Sequence, residues 1–177
     1  MSPPRLDRLA DRIDRLSAAV GRAVAWCLLF MLFAEFAVVM MRYVLGVGSV
    51  WLQESIPYAH AAVFMLAAAW TLAIDGHVRV DIFYADASAR TKALVDLLGA
   101  LVFLLPFALV LLILSAPYVA RSWAILEGSR ETSGLPAVFL LKSLIPLFAA
   151  LIGLQGFAQA IRAAIVIAGG TAAAPAR

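Results

Sequence analysis

Two carboxylates and a histidine fall within the stretch Asp75-Gly76-His77-Val78-Arg79-Val80-Asp81, and a second histidine, His60, lies inside an apolar run. Carboxylates with an imidazole could hold a divalent cation. Without helical i,i+4 pairing the stretch is a weak metal signature, and Arg79 set against Asp75 or Asp81 accounts for it as a charge-paired turn. His60 could be an axial haem ligand, but a bis-histidine site needs two histidines facing one another in a bundle, and His77 belongs to a charged loop. Glu35 is an acid in another apolar run. An ionised carboxylate in hydrocarbon costs on the order of 3 kcal/mol or more, so Glu35 must pair inside the bundle, face a partner chain, be protonated or approach the interface. No P-loop, GxSxG, HExxH, CxxC or EF-hand pattern occurs, and the lone Cys27 offers neither a disulfide nor a thiolate metal site. The chain is not expected to be an enzyme.

The elements that must position these groups are apolar. Hydrophobic residues make up 64% of the 177-residue chain and charged residues 14%, with a mean hydropathy of +0.97. Four runs, about 20–41, 52–74, 93–120 and 136–168, each reach the ~20 residues a helix needs to cross a ~30 Å hydrocarbon core. The expectation is an all-α integral membrane protein: four transmembrane helices over 20–168, an N-terminal amphipathic interfacial helix over 1–19, and a flexible C-terminal tail over 169–177. Of the 14 Lys and Arg residues, most fall on the side of the bundle that carries both termini, which predicts cytoplasmic N and C termini. A basic balance here reflects topology rather than a nucleic-acid partner.

Leu6, Leu9, Ile13, Leu16 and Val20 recur at spacings of 3 and 4, so the N-terminal helix would lie on the membrane with its Arg-rich face at the headgroups, or dock on a partner helix. After the first span, Gly46 and Gly48 allow a reversal, Tyr43 and Trp51 suit the headgroup level, and Ser49 can cap the second helix with Glu54 in its early turns. Gln53, Pro57 and His60 share one face of that helix, and Gly76 can end it. Ser88 can cap the third span, which Pro106 should kink or loosen. The polar stretch 121–136 is the natural place for a soluble partner to touch. In the fourth span Ala149 and Gly153, then Gly156 and Ala160, form small-residue rows that admit close helix approach.

Together Arg42-Tyr43-Val44, Ser49-x-Trp51-x-x-Glu54, His77-Val78-Arg79-Val80-Asp81 and Ser133-Gly134-Leu135-Pro136, in this order around four spans, resemble the small (DctQ-like) membrane subunit of tripartite ATP-independent periplasmic (TRAP) transporters. Ile145-Pro146 and Leu154-Gln155 extend the likeness, whereas Gln53-Glu54 stands where many members carry paired acids. The resemblance implies an inner-membrane accessory subunit. It would pack as a static scaffold on a large elevator-type subunit that holds the substrate and sodium sites, with lipid around it, and serve a periplasmic substrate-binding protein. No cofactor would be bound by this chain; a sodium gradient would drive uptake of a small carboxylate-bearing solute. Arg42, Trp51 and Glu54, with the loop from Arg130 through Ser133 to Pro136, would present a docking surface for the binding protein or anchor helices at the headgroups. His77, Arg79 and Asp81 would fix the cytoplasmic end of the second span. The alternative is a membrane anchor for a quinone- or haem-linked redox complex, resting on His60.

Overall fold

A computed structural model describes residues 4–78, 82 and 84–170. Among them the chain is helical throughout: α1 (Pro4–Tyr43), α2 (Val50–Leu66), α3 (Ala68–Ala73), α4 (Ala89–Leu98), a π-helical segment (Gly99–Leu104), α5 (Leu105–Ala124) and α6 (Val138–Ile167). They compose four spans: Leu6–Tyr43, Val50–Ala73, Ala89–Ala124 and Val138–Ile167. Only 6–17% of the most apolar window of each span is buried within the chain, so hydrocarbon or another membrane protein must solvate the outer surface. The end holding residues 4–20, 74–78, 84–88 and 160–170 is the proximal end, and the end holding the turns 44–49 and 125–137 the distal one.

The expected separate interfacial helix is corrected: α1 runs unbroken for 40 residues, and the N-terminal stretch is the first turns of a long apolar span. The reason lies in what faces α6. Leu6, Leu9 and Leu16 of the apolar stripe point outward at 40–46% exposure, while Ala10, Ile13, Asp14, Ser17 and Ala18 are buried. Ala10 and Ile13 pack with Ala158, Ile161 and Ile165 of α6. Small side chains let the two backbones approach, and leucines lose nothing by facing an apolar medium, so the seam follows small and polar residues rather than large ones.

α6 is the hub. It touches every other helical element, whereas α1 meets only α2, α3 and α6, and α5 meets only α6 and the π segment. The α1–α2–α3 hairpin and the α4–α5 arm therefore flank α6 separately. Ser49 caps α2 by accepting the Leu52 N–H, and Ser88 caps α4 by accepting the Thr91 N–H. Asp75, at φ 60°, makes the left-handed residue after the second span while Gly76 N–H bonds to Thr71 O at 2.8 Å; the helix thus ends one residue earlier than Gly76, on a residue type that tolerates that region. In the third span Pro106 has no N–H to return to the preceding turn, and the chain widens ahead of it, with Leu105 N–H reaching Ala100 O in a π turn.

Candidate functional site

At the distal end two acids gather the chain. Glu54, from the second turn of α2, accepts from Ser129 Oγ and, at 2.6 Å, from Leu135 N–H. Ser129 N–H in turn bonds to Leu135 O at 2.9 Å, so the loop folds on itself around that carboxylate. Gly134 makes this possible, since a Cβ there would run into Ser129 Oγ and Glu54 Oε2. Glu127 receives Lys142 Nζ and, at 2.7 Å, Ser122 Oγ, which joins the end of α5 to the first turns of α6. Lys142 also sits 4.3 Å from the Tyr118 ring centroid. Donation first from Lys142 and then from Ser122 holds the Glu127 carboxyl below the ordinary carboxylate range. Trp123 completes the clamp with Nε1 donating to Ser143 Oγ at 2.8 Å and its ring edge-on to Phe139.

The loop so fixed carries its polar groups outward: Arg130, Glu131, Thr132, Ser133 and Pro136 are exposed, as are Arg42, Tyr43 and Trp51 around the other distal turn. Glu54 is thus brought together with the segment from Ser129 to Leu135, but Arg42 is not part of that network. Lys142 and Glu127 escaped the reading of the sequence as a pair. The available signal was the lysine itself, because an ammonium just inside an apolar run requires an acceptor nearby.

At the proximal end a second network locks α1 to α6. Ser17 Oγ donates to Gln155 Oε1 and Gln155 Nε2 to Asp14 Oδ1, both at 2.8 Å. Arg162 donates through Nη1 to Asp14 Oδ1 at 3.1 Å and through Nη2 to Asp11 Oδ1 at 3.1 Å. Its Nη2 also lies 2.6 Å from Asp14 Oδ2, off the hydrogen-bond direction, so that approach is a charge contact. Asp14 is wholly buried. Beside this network a cavity of about 400 Å³ opens between α3, α4 and α6. Its polar lining is largely self-directed: Tyr84 Oη donates to both Asp96 oxygens, and Lys92 Nζ to Ala85 O.

His77 is exposed beyond α3, and its expected companions Arg79 and Asp81 lie outside the described residues. His60 faces out of the bundle, stacked at 6.4 Å on Phe64. Among the described residues no three His, Cys, Asp or Glu side chains converge as a metal site would require. The small-residue rows of α6 meet the third span of this same chain: a Cβ on Gly156 would strike Leu104, one on Gly153 would press on Ala108 Cβ at 3.3 Å, and Ala149 and Ala160 are buried.

Four spans gathered on α6, with a distal loop pinned through Glu54 and Glu127, describe a membrane-spanning component. The family model described as "Tripartite ATP-independent periplasmic transporters, DctQ component" matches residues 31–165. The chain belongs to the DctQ family. No curated protein and no solved structure gives a significant match. The DctQ component is the small subunit of a TRAP transporter, which works with a large DctM subunit and a substrate-binding protein; the family is a transporter component and not an enzyme family. This DctQ chain is accordingly a multi-pass inner-membrane protein. The matched region takes in the whole distal network and Gln155 and Arg162, but Asp11, Asp14 and Ser17 lie before it.

Proposed function

We propose that this chain is the static scaffold of its TRAP system, packing on the large elevator-type subunit and offering the distal loop to the substrate-binding protein. The distal end then faces the periplasm and both termini the cytoplasm, in keeping with the excess of Lys and Arg at the proximal end. Family membership supports the accessory role. The observation that carries the docking role is the loop 127–136, tied by Glu54 to α2 and by Glu127 to α6, with Arg130, Glu131, Thr132 and Ser133 projecting from it. A receptor that arrives and leaves each cycle needs a surface whose shape is set beforehand, because ordering a loop on every encounter weakens binding. Transport itself would be sodium-coupled uptake of a small carboxylate-bearing solute, performed by the large subunit.

The test is uptake by the complete three-part system carrying Arg130→Glu. Uptake should fall and recover partly at higher binding-protein concentration, with recovery of the large subunit unchanged. Undiminished uptake would remove the docking role, and loss of the assembled complex would make the loop a structural anchor instead.

A further inference from the structure

Glu35 projects from the outer surface of α1, between the exposed Leu32 and Phe36, and makes no hydrogen bond or ion pair among the described residues. It lies about 12 Å along the helix from Tyr43 at ~1.5 Å per residue, well inside the apolar run. On the neighbouring helix α2, His60 is also exposed, about 15 Å from Val50 by the same rise. Two ionisable side chains thus open outward at similar depths from the distal end, on helices that pack against each other. The other flank of the molecule differs. The outer surface of the third span is made of Leu101, Val102, Phe103, Leu109, Ile113 and Leu114, all exposed and all apolar. Hydrocarbon suits that surface, and it does not suit a carboxylate with no partner.

We propose that the outer face of α1 around Glu35 is the surface that meets the large membrane subunit, through a basic side chain on a partner helix at the same depth. This rests on the accessory-subunit reading above and adds which face is covered and by what chemistry. A single cation fits the site: one outward-facing carboxylate at membrane depth, with no donor among the described residues, is neutralised by one ammonium or guanidinium, which also fixes the register of the two helices. The α5 face is left to lipid.

The test places a photo-crosslinking amino acid at Leu32 or Phe36 on α1, and at Leu109 or Ile113 on α5, in membranes holding the tagged large subunit. Irradiation should yield adducts with the large subunit from 32 and 36 and none from 109 and 113. Glu35→Leu should lower recovery of the large subunit at least about tenfold, as expected for a buried charge left unpaired, and Glu35→Gln should lower it less. Both variants should leave the elution profile of this chain unchanged, since Glu35 makes no hydrogen bond or ion pair among the described residues. Adducts from α5 alone, or full recovery with Glu35→Leu, would overturn the assignment and leave Glu35 facing lipid. Failure of the unmodified chain to bring down the large subunit would instead overturn the accessory-subunit reading, so the two failures are distinguishable.

Discussion

Removing the guanidinium of Arg162 should unfasten α1 from α6. Asp14 is fully buried and receives Arg162 Nη1, an Nη2 charge contact and the Gln155 amide. Arg162→Met leaves that carboxylate without a cation, and breaking one side of a buried ion pair costs about 3–5 kcal/mol. For a chain of this size ~1 kcal/mol moves a melting midpoint by ~2–4 °C, so the fall should be about 6–20 °C in detergent. Asp14→Leu should cost less, because Arg162 keeps Asp11 at 3.1 Å. The double variant removes both charges, yet it strands the buried Gln155 amide, which carries its own cost of about 1–3 kcal/mol. It should therefore recover part of the loss, with a coupling of about 0.5–3 kcal/mol between the two sites. The assay is a thermal-stability series by fluorescence-detected size exclusion on wild type, both singles and the double. Small, strictly additive losses would mean that Asp14 and Arg162 do not share a buried pair.

Gly21 faces the Trp70 ring, where an added Cβ would stand 2.5–2.8 Å from ring and Cβ carbons; Gly21→Ala should cost about 1–3 kcal/mol in the same assay, as overpacking does. Leu126 holds a left-handed φ of 46° after α5, so Leu126→Gly should raise stability by about 1 kcal/mol by relieving backbone strain, and a lower midpoint would contradict this. Glu127 is held below its ordinary pKa by Lys142 and Ser122, so its clamp is complete above the unfolded carboxylate pKa and is lost as pH falls through the lowered folded value. Protease cleavage within 128–136 should accelerate on that acid side, and Glu127→Gln should reduce the pH step.

The number of spans was legible because length and hydropathy act locally, and so was Ser88 as a cap. The fate of the N-terminal stretch was not. Its 3–4 periodicity is real, but periodicity reports which residues share a face, not which face is buried. In an apolar medium the leucines have no reason to turn inward, and the deciding bonds link Asp14 and Ser17 to Gln155 and Arg162, more than a hundred residues away. Part of the distal site stood out in the sequence, not the Glu127–Lys142 pair but Glu54 and the stretch through Ser133, Gly134 and Pro136. Their relation was hidden, because Glu54 reaches a backbone N–H, that of Leu135, and a backbone donor leaves no trace in residue identity.

The central claim is that this chain is an indispensable, non-transporting partner of a larger permease. The decisive measurement is sodium-driven uptake into proteoliposomes holding the large subunit with or without this chain, with its binding protein and a small carboxylate supplied outside. A stoichiometric complex that takes up solute only when both subunits are present is the predicted result. Full uptake by the large subunit alone, or flux through this chain alone, would contradict it.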